Sequence, residues 1–262
     1  MKINNFVIDR VLRGIMTSTA DGSYMWSINQ VQEPSLNVTS ETAEAVDALG
    51  SRIATFNRGK SAEFTANNSI FDLGLFAAQN GVDVQEATVS ATISTPKFDE
   101  IKIDGTSASY DLAETPNDEL GKIYLLNGDG TLGTAYEKGA AASATKYAYD
   151  ESTNKLTPPT GLNAGDRLMV MYEYNASSAT YVTGDAINFP KAGKFVLEVL
   201  GVDVCDPTTQ IHAYIIFPNA KLDANVDISF TTDGNHPFTI QAQQDYCDPA
   251  KVLYQIIIPD EE

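Results

Sequence analysis

Apolar and polar residues alternate with a period of two along most of this chain, and only one stretch changes to a helical period. Such alternation buries one side of a strand and wets the other, so the fold must be built mainly from sheets. The pattern is clear in YMWSINQVQEPSLNVTS (24–40), where Pro34 marks an edge or a bend. It returns in SRIATFNRGKSAEFTAN (51–67), and the intervening ETAEAVDALG (41–50) is polar with a few apolar residues. The span 24–67 is therefore predicted to be a long hairpin whose tip loop is 41–50.

The exception is NNSIFDLGLFAAQNGVD, which follows directly. Asn68 or Ser69 can cap a helix start. Ile70, Leu73, Phe76 and Ala77 make an apolar stripe at 3/4 spacing, and Asn80-Gly81 supplies a left-handed stop. A helix this short forms only if its stripe packs on a sheet.

Strand texture resumes in EATVSATISTPKFDEIKID (86–104), then turn signals crowd the chain from 113 to 178. Asn127-Gly-Asp-Gly, Ser152-Thr-Asn154, Pro158-Pro159 and Asn163-Ala-Gly165 separate short strands at 122–127, 146–150 and 166–174. This reads as a small inserted all-β domain, 113–178, within a discontinuous β domain of 1–112 and 179–262. The C-terminal segments 185–205, 211–222, 226–230, 237–247 and 252–262 are expected to form one meandering sheet. Their runs VLEVLGV, AYIIF and YQIII suggest burial on both faces.

Charge narrows the function. The chain has 262 residues, with 17 Lys and Arg against 35 Asp and Glu, a net charge of −18. Such a surface repels phosphate, and the densest basic group, Arg52, Arg58 and Lys60, is too thin for a nucleic-acid footprint. Asp9, Arg10 and Arg13 interrupt the N-terminal segment, so it lacks the apolar core of a secretory signal. No run is long and apolar enough for a membrane helix.

Site chemistry is sparse. The two cysteines stand in a repeated triplet, Cys205-Asp206-Pro207 and Cys247-Asp248-Pro249. No histidine flanks either at ligand spacing, which argues against zinc. A simple meander puts the two cysteines at opposite ends of the sheet, against a disulfide, although a crossover at 218–225 would reverse that parity. The remaining reading is a strand end with a small buried cysteine and an Asp-Pro turn. LNGDGTLGTAYEK (126–138) resembles a calcium loop but has Leu132 where glycine is needed and Lys138 where the bidentate acid belongs, so it reads as a hairpin turn. His236 is read as a turn residue, His212 as a strand residue and Trp26 as core. Nucleophile-elbow, phosphate-loop, dinucleotide and zincin motifs are all missing from the sequence. The expectation is a protein that is not an enzyme, with no metal site and no cofactor.

The order of elements resembles the tail tube (major tail) proteins of tailed bacteriophages. The resemblance rests on the long early hairpin, on FNRGKSAEFTANNSIFDLGLFAAQNG, on strands with a β insertion, and on the ending HPFTIQAQQDYCDPAKVLYQIIIPDEE. It implies a tail-tube-like β-sandwich or barrel with one flanking α-helix and a long hairpin arm, the inserted domain being a surface decoration. It also implies a virion structural protein, assembled in the host cytoplasm into hexameric rings that stack into a tube for DNA. Implied partners are other copies of the chain and further tail proteins such as tape measure, terminator or sheath, with no membrane. DNA would pass through an acid-rich lumen without specific binding.

By the same resemblance, the arm between successive rings is Asn37 to Arg58, with Ser40, Glu41, Thr42, Ala43, Val46, Leu49, Arg52 and Arg58 as interface residues. Ala43, Val46 and Leu49 are apolar residues in a polar tip, which either fold back on their own sheet or meet a partner. A competing reading is a β-sandwich module that binds carbohydrate or a cell surface, with Tyr124, Tyr136, Tyr147, Tyr149, Tyr172 and Tyr174 as stacking platforms.

Overall fold

A computed structural model describes residues 6–205, 208–232, 234–246 and 249–259. The chain is mainly β. The first strands are β1 (Phe6–Thr17), β2 (Tyr24–Ile28), β3 (Val31–Val46) and β4 (Arg52–Asn68), followed by helix α1 (Leu73–Gln79). Next come β5 (Gln85–Ala87), β6 (Ile93–Lys102), β7 (Tyr110–Asp111), β8 (Ile123–Leu126) and β9 (Leu132–Lys138). Then follow β10 (Lys146–Asp150), β11 (Lys155–Thr157), β12 (Arg167–Ala176) and β13 (Ala179–Tyr181). The last are β14 (Ala192–Asp203), β15 (Gln210–Leu222), β16 (His236–Ala242) and β17 (Gln255–Ile257).

Two compact units result. The first joins 1–84 to 182–262, and the second is 85–181. In the first, strands run in the order β2-β1-β14-β15-β16-β4-β3, with β17 added to β15. Its core is aromatic: Trp26 stacks on Phe195 at 5.4 Å, and Phe64 lies 6.1–6.5 Å from Phe195, Phe217 and Phe238. Burying such side chains stabilises the fold by roughly 1.5–3 kcal/mol each. Trp26 is thus core, as expected.

The second unit is wider than the 113–178 domain read from the sequence. Strand β6 pairs with β12 along its whole length, from Lys102 against Arg167 to Ile93 against Ala176. Residues 85–112 therefore belong with the insertion and not with the flanking domain. The turn-rich texture starts only after β6, so the sequence hid this long-range pairing. Expected strands at 122–127, 146–150 and 166–174 appear as β8, β10 and β12. The turn at Asn127 is a β8–β9 hairpin, closed by the Asn127 N–H donating to Thr131 O at 2.9 Å. Tyr136, Tyr147 and Tyr172 are buried in this unit's core. Tyr147 donates its hydroxyl to Leu120 O, and Tyr172 donates to the Asp99 carboxylate at 2.7 Å. Three of the six tyrosines proposed as stacking platforms are thus inaccessible.

Other expectations change. Segment 226–230 is not a strand; the turn begins at Asp223, whose carboxylate accepts from Asn225 N–H, and β16 pairs directly with the end of β15. Removing that strand reverses the parity, so β16 runs back toward the end of β15 that follows Cys205. Cys247 itself lies outside the described residues, as do Asp206, Pro207 and Asp248. Cys205 is exposed rather than buried, its N–H donating to the Asp203 carboxylate at 2.7 Å. The β14 and β15 runs are buried on one face and half-buried on the other, while β17 is exposed because it only lines an edge of β15.

The helix is shorter than its sequence stripe. Asn68 stays in β4, paired with Val31 and His236, so ladder hydrogen bonds outcompete capping there. Asp72 caps instead, accepting from Leu75 N–H at 2.7 Å, and the buried residues are Leu75, Ala77 and Gln79. Ile70 is left exposed. The predicted stop holds: Gly81 has φ +71°, and a side chain there would meet Phe189 O at 2.2 Å. His236 is not a turn residue. It opens β16, fully buried, with Nδ1 accepting from Asp72 N–H at 3.4 Å and Nε2 2.7 Å from Gln79 Oε1.

Candidate interaction site: the hairpin arm

The alternation of β4 changes character halfway. From Ala62 to Asn68 every second residue is buried, whereas from Arg52 to Ser61 only Ala54 is other than exposed. The sheet explains this. Strand β16 pairs with β4 only from Glu63 to Asn68, so beyond Glu63 the chain continues as a ribbon of β3 and β4 alone.

The expected hairpin is present, with different limits. Its first strand starts at Val31, because Tyr24–Ile28 pairs with β1 instead. The tip loop is also shorter than 41–50. Strand pairing continues to Val46 against Arg52, leaving only Asp47 to Ser51 as the turn. Turn chemistry accounts for that: the Asp47 carboxylate accepts from Leu49 N–H at 2.9 Å and Ser51 N–H at 2.8 Å, and Gly50 takes φ +82°.

Directly opposed residues share a face of a ribbon, and faces alternate along each strand. One face carries Ala43 opposite Phe56 and Ala45 opposite Ala54. The other carries Thr42 opposite Asn57 and Glu44 opposite Thr55. Glu44 also binds Arg52 at 2.5 Å, and Glu41 stands opposite Arg58. Ser40 is opposite Lys60. The charges are segregated: β3 contributes only acids, Glu33, Glu41 and Glu44, whereas 52–60 contributes only bases, Arg52, Arg58 and Lys60.

Leu49 sits at the apex, 91% exposed, and Val46 is also exposed, so neither folds back on its own sheet. Sequence reasoning missed Ile53 and Phe56, which are 68% and 57% exposed. Their signal was faint: Phe56 keeps period two with Ala54, and only the adjacent Ile53-Ala54 departs from strict alternation. A two-stranded ribbon is at best marginally stable in water unless something covers its apolar side. The arm therefore has the composition of a contact surface. It gathers no catalytic constellation, and among the described residues no three His, Cys, Asp or Glu side chains group to hold a metal ion. Likewise, no helix among them is long and apolar enough to cross a membrane.

No curated protein matches the chain. The model of the YomU/Tube protein family does match, over residues 6–250, and the chain belongs to that family, in agreement with its resemblance to phage tail tube proteins.

Proposed function

We propose that this protein is the structural subunit of a phage tail tube, assembling into rings, six copies by the resemblance, that stack end to end. The observation that carries this reading is the arm. Its ribbon presents Ala43, Ala45, Ala54 and Phe56 on one face and Leu49 at its apex, with no third strand beyond Glu63 among the described residues. The partner in this reading is a second copy of the chain, as the resemblance to tail tube proteins implies. The arm residues Ser40, Glu41, Thr42, Ala43, Val46, Leu49, Arg52 and Arg58 are then contacts between successive rings.

The acid excess fits the same role. A tube wall of net negative charge repels phosphate and lets DNA slide without adhering. Other tail proteins, tape measure and terminator or sheath among them, would meet the assembly in the virion. The role is structural rather than catalytic.

Negative-stain microscopy of the purified protein tests this. Rings or tubes about 100 Å wide are expected, a few domain diameters across. A monodisperse monomer at high concentration that binds glycans would overturn the reading in favour of a carbohydrate module.

A further inference from the structure

The dipeptide Asn-Gly occurs twice in this chain, at Asn80-Gly81 and at Asn127-Gly128. It is open to ring closure, because the glycine nitrogen can approach the preceding carboxamide with no side chain in the way. The fold treats the two copies differently. At the first, Gly81 N–H donates to Ala78 O at 3.1 Å and Asn80 Nδ2 donates to Phe76 O at 2.8 Å. Both reacting groups are thus held by the end of α1. Glycine is also obligatory there, with φ +71° and Phe189 O only 2.2 Å from an added Cβ.

The second copy lies in the turn of the β8–β9 hairpin. Asn127 N–H donates to Thr131 O and Gly130 N–H donates to Asn127 O, each at 2.9 Å, so Gly128 and Asp129 are the middle of a tight turn. The left-handed position is Gly130, at φ +83°, and not Gly128. A Cβ on Gly128 would meet nothing within 4 Å. Neither the turn nor packing therefore requires glycine at 128. Its N–H has no hydrogen-bond partner among the described residues, and Asn127 and Gly128 are both exposed. The Asn127 carboxamide is held by one hydrogen bond, Nδ2 donating to Thr131 Oγ1 at 2.9 Å. An exposed bond between neutral groups is readily exchanged for water.

We infer that Asn127 is a site of spontaneous deamidation, from which the fold protects Asn80. The Gly128 nitrogen gives its proton to solvent and attacks Asn127 Cγ. The N–Cγ bond forms, the Cγ–Nδ2 bond breaks, and Nδ2 takes up a proton and leaves as ammonia. Water then opens the cyclic imide at either carbonyl, leaving aspartate or isoaspartate. One water is consumed and one ammonia released, with no oxidant or reductant. The product has no Nδ2–H to donate to Thr131, whose hydroxyl already donates to the Asp129 carboxylate at 2.6 Å. A new carboxylate then stands beside that of Asp129, and repulsion between like charges loosens the turn. The site lies wholly in the second unit and is independent of assembly.

The test holds the folded protein for days in mildly alkaline buffer, where the attacking nitrogen loses its proton more readily, and then maps its peptides by mass. The peptide with Asn127 should gain the mass of NH2 replaced by OH, and the peptide with Asn80 should not. In strong denaturant the two should react at similar rates, because the fold no longer separates them. Gly128→Ala should melt like the unaltered protein and should slow the Asn127 reaction about tenfold or more, because the added methyl crowds the attack. An unreactive Asn127 in the folded protein overturns the inference. So does an equal rate at Asn80 in the folded protein, or an Asn80 that stays unreactive in denaturant. Unchanged reactivity in Gly128→Ala counts against ring closure and so against the site.

Discussion

Replacing Phe56 with serine separates the stability of the subunit from its assembly. Phe56 is 57% exposed in the single chain and faces Ala43 across the ribbon. Fully burying a phenylalanine contributes up to about 3 kcal/mol, so covering its exposed part contributes about 1.5 kcal/mol per contact. That is about tenfold in one association constant. A ring of six would multiply it to about 9 kcal/mol for each stacking step, ample to abolish tubes. The subunit itself loses only a cross-strand pair, about 0.2–1 kcal/mol, so its melting temperature should fall by at most a few degrees. Sedimentation velocity would read assembly and calorimetry would read folding. Asn57→Ser, on the opposite face, is the control and should assemble normally. If F56S stacks as well as the unaltered protein, the apolar face is not an interface. If it fails only because the subunit melts much earlier, the arm is part of the core.

Two further perturbations address the body. Burial holds the His236 imidazole below its ordinary pKa, against an opposing pull from the Asp72 carboxylate. The unfolded chain thus binds a proton that the folded chain resists, so stability should decline as pH falls below about 6.5. Denaturant titrations at pH 7 and pH 5 should show this loss, with less of it in His236→Gln; an equal loss in both would refute the assignment. Separately, Gln85–Ala87 pairs in register with Ala179–Tyr181, which brings the two ends of the second unit side by side. Replacing 85–181 with a short glycine linker should leave a folded first unit that still assembles. Loss of assembly with folding retained would make the second unit part of the tube contact.

Much of the architecture was legible before any coordinates. Period-two runs foretold β3 and β4, turn signals bracketed β8, β10 and β12, apolar runs marked β14 and β15, and Asn80-Gly81 foretold where the helix ends. The misreadings share a cause. Asn68 has the chemistry of a helix cap but spends its hydrogen bonds on two neighbouring strands. His236 stands in the turn-like TDGNHP, yet it pairs with Asn68 and is sealed beneath Phe71, whose ring stacks on it at 5.4 Å. For the candidate site, the hairpin and most of its exposed apolar residues were visible, while Phe56 was hidden inside a run that looked like ordinary strand.

The sequence by itself determined the class of the fold, the presence of an arm and an acid-rich surface, because alternation, turn residues and charge are local properties. Only the tertiary structure decided where the second unit begins, which half of β4 is sheet and which half is ribbon, and how short the turn at the arm's tip is. Those depend on which strand stops pairing and at which residue, and pairing joins parts of the chain that no local pattern connects.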